Sequence, residues 1–128
     1  MKLLKNIALG LFIAASSVGI TSVAHAETDA GRITFEPAVA IDNVVTQIQV
    51  ALDAIAAGTD NMEVAAMIKH ARDLNKEINA NDKVDIGRQR ANSELSKARG
   101  LAKKGKLDDA KQQLEEASKK YTALKAHL

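Results

Sequence analysis

Residues 107–128 read LDDAKQQLEEASKKYTALKAHL, and this stretch decides the fold class of the protein. Its apolar side chains recur at alternating steps of three and four residues, which places them along one face of an α-helix. Asp108 and Asp109 fall in the first turn and lysines fall near the end, an order that the helix dipole favours. The inward face comprises Leu107, Ala110, Leu114, Ala117, Tyr121, Leu124 and Leu128. The stretch therefore predicts an amphipathic helix that packs against other helices.

Two further amphipathic helices are predicted between residues 37 and 78. Pro37 suits the first turn of the first helix, because its missing N–H costs nothing there, and Gly58 suits its end. Asp60 and Glu63 have the spacing of a capping box at the start of the second helix. The inward faces comprise Ile41, Val44, Val45, Ile48, Ala51, Leu52 and Ile55 in the first helix, and Val64, Met67, Ile68, Ala71, Leu74 and Ile78 in the second.

One more helix is predicted between the polar break at residues 79–82 and Gly105. Its inward side chains are mostly small, which predicts close approach of a neighbouring helix, and they comprise Val84, Gly87, Ala91, Leu95, Ala98 and Ala102. Short connections between amphipathic helices favour antiparallel neighbours. We therefore expect an all-α fold, an up-down-up-down antiparallel four-helix bundle over residues 37–128. An open stack of two helical hairpins is the alternative.

The first 26 residues have the pattern of a cleavable signal peptide. Lys2 and Lys5 precede an uncharged apolar stretch over residues 7–20, and small residues stand at Ala24 and Ala26, where a signal peptidase reads the chain. The alternative is a retained membrane anchor, but the apolar stretch is shorter and more polar than a spanning helix requires. We expect cleavage before Glu27, a flexible arm over residues 27–36, and a periplasmic or secreted protein.

Charge and composition narrow the function of the exported part. Lys2 and Lys5 leave with the signal peptide, so 16 basic residues remain against 16 acidic ones. A neutral chain with few aromatic residues argues against nucleic-acid binding, and it predicts no stable membrane insertion after cleavage. The chain has no cysteine, which excludes disulfides and a lipidated cysteine.

His70, Asp73 and Glu77 are the candidate metal ligands. They stand at i, i+3 and i+7 of the second helix, and an imidazole with two carboxylates can hold a divalent ion such as copper, zinc or nickel. The alternative is a surface histidine beside unrelated carboxylates. Met67 is interpreted as a core residue rather than a thioether ligand, and His127 as a mobile chain end.

No residue pattern indicates catalysis, so the chain is predicted to be non-enzymatic. Adjacent carboxylates such as Asp108 and Asp109 point about 100° apart on a helix and make no acid–base pair. Glycine-rich phosphate loops and nucleophile motifs are not found in the sequence. The alternative function is a periplasmic protein-interaction or stress-response module without metal. The heptad face of the last helix could equally serve an oligomer, whose state the pattern leaves open.

Several segments resemble the small metal-binding protein (SmbP) family of periplasmic four-helix bundles. The likeness covers residues 48–124 and rests on Ala-rich helical segments, on the IKHAR motif around His70, and on LAKKGKLDDA over residues 101–110. The resemblance implies a helical bundle that binds divalent metals, copper prominently, through many histidines. Within residues 48–124 only His70 stands in the recurring His-Ala context, so the chain is a histidine-poor variant of that pattern. A weaker likeness is to haem cytochromes of the four-helix-bundle type.

Overall fold

The computed structural model describes residues 35–128, which contain four α-helices and a short 3₁₀ helix but no strand. The helices are α1 (Pro37–Ala56), α2 (Asn61–Asn75), α3 (Asp82–Lys103) and α4 (Leu107–Ala123), with the 3₁₀ helix at Leu124–His127. The predicted all-α four-helix class is confirmed. The predicted signal peptide and residues 27–34 of the predicted arm lie outside the described residues. Phe35 and Glu36, the last two arm residues, are non-helical and exposed.

Local sequence signals set the helix ends. The Asp60 carboxylate accepts a hydrogen bond from the Met62 N–H at 3.0 Å, and the Asn81 amide oxygen accepts one from the Val84 N–H at 3.0 Å. These side chains satisfy backbone donors that have no partner within the first helical turn. After α1 and α3, Gly58 and Gly105 adopt φ of +75° and +78°, a conformation that glycine takes without steric cost. The predicted starts of α2 and α3 and the glycine stops are therefore confirmed.

The helices pack in a closed ring. Each helix contacts its neighbour in sequence, and α1 also packs against α4, which favours a closed bundle over the open stack of hairpins. Gly87, near the start of α3, lies against Leu124, just after the end of α4, whereas Glu94, further along α3, pairs with Lys120, earlier in α4. This pairing makes α3 and α4 antiparallel. The full up-down-up-down order stays a prediction, which the short connections support.

The core is built largely from alanine and β-branched residues. Ten of its 21 buried apolar side chains are alanine, so the helices approach closely and each buries a modest area. By length and mean hydropathy α1 would also pass for a membrane span, but its apolar stripe at Ile41, Val44 and Ile48 is buried in this core. Tyr121 is the largest fully buried side chain.

The end of the last helix differs from the prediction. The heptad spacing placed Leu128 on the inward face, but the side chain of Leu128 is 51% exposed. The reason is geometric, because α4 ends at Ala123 and the tighter 3₁₀ helix that follows changes the angular spacing of side chains. Leu124 keeps its buried position against Gly87. Asn75 and Ala65 are buried although the α2 pattern did not mark them as inward.

Candidate functional site

The predicted metal ligands lie along α2 and just beyond its end. His70 is exposed, and Asp73 is half-buried three residues further on. Glu77 lies outside the helix, because α2 ends at Asn75 and Lys76 is its C-cap, so the helical i+7 position assumed for Glu77 does not exist. Within residues 35–128 no three histidine, aspartate or glutamate side chains are grouped closely enough to share a metal ion. The metal site at His70, Asp73 and Glu77 stays a prediction, and the described geometry does not assemble it.

The carboxylate of Asp73 is already engaged by lysines. Lys69 Nζ lies 2.8 Å from one carboxylate oxygen and Lys76 Nζ lies 3.6 Å from the other. The hydrogen bond and the charge of Lys69, with a smaller contribution from Lys76, hold the pKa of Asp73 below its usual range. A metal ion at Asp73 would have to compete with both ammonium groups.

The same stretch of α2 forms one wall of a cleft of about 420 Å³ against α3. The cleft is lined mainly by cationic and amide side chains: Lys69, Arg72, Asp73, Asn75 and Lys76 from α2 with its C-cap, and Arg88, Asn92 and Arg99 from α3. Residues 35–128 contain four arginines, and three of them line this cleft. Asp73 is the only carboxylate in the lining, so the cleft is strongly cationic, although the sequence of residues 27–128 contains 16 basic and 16 acidic residues.

The cations are spread along the length of the cleft. Lys69 and Lys76 are seven residues apart, a rise of about 10 Å along a helix axis, and Arg88 and Arg99 are eleven apart, a rise of about 16 Å. The short connection between α2 and α3 favours an antiparallel pair, which places Lys76 with Arg88 at one end and Lys69 with Arg99 at the other. The residues that carry the positive charge are therefore spread along the packed surfaces of α2 and α3, and we call the cleft between them the cationic groove.

Two of the five cationic side chains have no counter-charge in the part of the chain that the structure describes, and Lys69 and Lys76 share the single carboxylate of Asp73. Arg88 pairs with Asp85, with 2.6 Å between Nη2 and Oδ1, whereas Arg72 and Arg99 make no ion pair with any residue of the range 35–128. The Nε–H groups of Arg72, Arg88 and Arg99 are buried, and none has a hydrogen-bond acceptor within the described chain. A buried donor without an acceptor costs free energy. The Nε atoms themselves are closed off from solvent, so an external ligand would meet the terminal N–H groups of these half-buried arginines.

A buried hydrogen bond fixes the floor of the groove near the end of α2. The Tyr121 hydroxyl of α4 donates to Asn75 Oδ1 at 2.8 Å, and both side chains are buried. Burial raises the pKa of Tyr121 far above its ordinary value, while the positive charges of Arg88 and Arg72 act in the opposite direction. The charge of the groove thus reaches this hydroxyl. The bond also ties α4 to α2, which lie across the ring from each other.

The cationic groove was missed by sequence reasoning. The available signal was local: Lys69, Arg72 and Lys76 follow one another at helical spacing on α2. Arg88, Asn92 and Arg99 occupy one face of α3, but only packing brings that face against α2. Other sequence interpretations hold, since Met67 packs against the core and Asp108 and Asp109 lie in the first turn of α4. The backbone of His127 is held rather than free, because its carbonyl accepts from Asn81 Nδ2 at 2.8 Å.

Comparison with known proteins gives no relative from which a function could be transferred: no family model, no curated protein and no solved structure matches the chain.

Proposed function

We propose that this protein is a small, exported, non-enzymatic binding protein whose groove between α2 and α3 takes an anionic ligand. Export is supported by the signal-peptide pattern of residues 1–26. The observation that carries the ligand proposal is the set of three half-buried arginines around one groove with a single carboxylate in its lining. Arginine presents planar N–H donors that match oxyanions, and partial burial strengthens such interactions by reducing solvent screening.

The experiment is a calorimetric titration of the purified full-length protein with small anions and, separately, with metal chlorides. Phosphate, tripolyphosphate and citrate serve as the anions, in low-salt buffer without competing oxyanions. We expect heat with at least one multivalent anion, and binding that weakens as salt is added, since the charges are partly solvent-exposed. Absence of binding to every multivalent anion at millimolar concentration would refute an anion-binding function.

Weak binding of a divalent metal is the second candidate. One observation favours it: the imidazole of His70 is exposed and accessible. The resemblance to the small metal-binding protein family points the same way. Titration with Cu²⁺, Zn²⁺ and Ni²⁺ tests it, with His70→Ala as the variant. Equal heats for the two proteins would remove His70 from any metal site.

A protein-interaction module without metal is the remaining alternative. Exposed large apolar side chains would be its anchors, and Val39, Val50, Met62 and Ile86 are such side chains on three different helices. Single exposed apolar residues are common on protein surfaces, whereas interaction sites use contiguous patches. The groove itself has no aromatic or large aliphatic lining residue to act as an interface anchor. These features favour a small ligand over a protein partner.

A further inference from the structure

We infer that the ligand of the groove is an elongated oligoanion of phosphoryl groups, bound along the axis of the groove by Arg72, Arg88 and Arg99. This inference rests on the proposed anion-binding function and adds the chemistry and the shape of the ligand.

The extent of the groove requires a ligand longer than a single ion. Arg88 and Arg99 arise from points about 16 Å apart along α3, with Arg72 contributed from the facing helix. The volume of about 420 Å³ falls in the range of sites that hold small organic molecules, well above that of one water-sized group. A chain of phosphoryl groups can spread its charges over this stretch of cationic residues, whereas a single phosphate has fewer oxygens and less charge to share among them.

The charge in the groove requires a multivalent ligand. Five cationic side chains line it, Asp73 offsets one of them, and Asp85 offsets Arg88 from outside the lining. A surplus of three positive charges remains, and it is carried by partly buried guanidinium groups as well as by lysines. A phosphoryl group carries up to two negative charges near neutral pH, so a short chain of them can match this surplus.

The donors in the groove suit phosphoryl oxygens. The three half-buried arginines present terminal N–H groups to the groove, while their Nε atoms are closed off from solvent. Guanidinium groups bind phosphate through paired N–H donors, and each phosphoryl group offers several acceptor oxygens. A monocarboxylate offers two oxygens and one charge, which would leave most of these donors unpaired.

The chain provides a closely matched control for the arginines. Arg90 stands on α3 two residues from Arg88, carries the same charge, and is exposed on a face outside the groove. Arg90→Gln therefore removes the same net charge from the same helix without touching the groove. A difference in Kd between the Arg99→Gln and Arg90→Gln variants therefore reflects the position of the lost charge and not the change in net charge.

The experiment measures Kd by calorimetry for orthophosphate, pyrophosphate and tripolyphosphate, with the full-length protein and its variants. We expect affinity to rise with chain length, by about tenfold or more from orthophosphate to tripolyphosphate, as further charged hydrogen bonds form. Arg72→Gln and Arg99→Gln should each weaken tripolyphosphate binding by about tenfold or more, and Arg90→Gln by less than about twofold. Circular dichroism and thermal unfolding of each variant show that a loss of binding does not come from unfolding.

The other outcomes separate this inference from the proposed function. Citrate binding equal to that of tripolyphosphate would overturn the phosphoryl chemistry while leaving anion binding in place. Equal affinity for orthophosphate and tripolyphosphate would overturn the elongated ligand. Binding to phosphatidylglycerol vesicles without binding to free tripolyphosphate would show a membrane headgroup as the source and overturn a free oligoanion. No binding to any anion would remove both proposals.

Discussion

The hydrogen bond between Tyr121 and Asn75 offers the sharpest test of how this bundle is stabilised. Tyr121 has no exposed surface and Asn75 is 4% exposed, and the hydroxyl lies 2.8 Å from Asn75 Oδ1. Tyr121→Phe keeps the aromatic ring and removes only the donor, so the Asn75 oxygen is left buried without it. An unsatisfied buried acceptor costs about 1–3 kcal/mol, and we expect the free energy of unfolding to fall by about that amount.

A double-mutant cycle separates the bond from the packing. Asn75→Leu removes the amide, and the double variant Asn75→Leu/Tyr121→Phe replaces both polar partners with apolar groups. Because the penalty of an unpaired partner disappears when both are gone, the double variant should lose less stability than the two single variants summed. The expected coupling is about 0.5–3 kcal/mol, the range for residues in direct contact.

Urea unfolding followed by circular dichroism measures these differences. The variants should change the midpoint of unfolding and leave the denaturant slope unchanged, since they bury nearly the same surface. For a domain near 100 residues, a loss of 1 kcal/mol also lowers Tm by about 4–8 °C. If Tyr121→Phe unfolds within about 0.5 kcal/mol of the natural protein and the cycle is additive, the reasoning about a buried polar pair is wrong.

Three further predictions test the helix ends and the pH response. Gly105→Ala should lower the free energy of unfolding by about 1–2 kcal/mol, because φ is +78° there and the added Cβ would lie 3.0 Å from Asn61 Nδ2. Gly100 lies inside α3 with open space around it, so Gly100→Ala should raise the free energy of unfolding, measured with urea, by up to about 1 kcal/mol. Asn81→Ala should lower the free energy of unfolding by about 1 kcal/mol, because the cap of α3 and the hydrogen bond to the His127 carbonyl both disappear. An unchanged Tm would contradict the capping role. Because burial raises the pKa of Tyr121 in the folded protein, the folded chain keeps this hydroxyl protonated above pH 10 while the unfolded chain ionises it. The free energy of unfolding should therefore fall as pH rises, with a slope approaching about 1.4 kcal/mol per pH unit. Tyr121→Phe should lack that alkaline slope in urea midpoints measured between pH 8 and 11, and a slope equal to that of the natural protein would assign the effect to another group.

The helices of this protein were determined by local sequence. A 3–4 spacing such as that of Ala110, Leu114 and Ala117 acts within one helix, and caps such as Asp60 act over two or three residues. These signals therefore predicted the helices and their ends before any packing was known. The exceptions were Leu128, where the last turn tightened after Ala123, and Glu77, which lies beyond the end of α2 at Asn75.

Tertiary structure alone decided the candidate site. Asn75 and Tyr121 are 46 residues apart in the sequence. The spacing pattern predicted Tyr121 on an inward face and did not mark Asn75, yet the two side chains form one buried hydrogen bond. Arg72 and Arg99 lie on different helices, and a formal net charge of only +2 gave no sign that they line one groove. Helix formation depends on neighbours within one turn, whereas a groove depends on the relative rotation and register of two packed helices, which no single segment encodes.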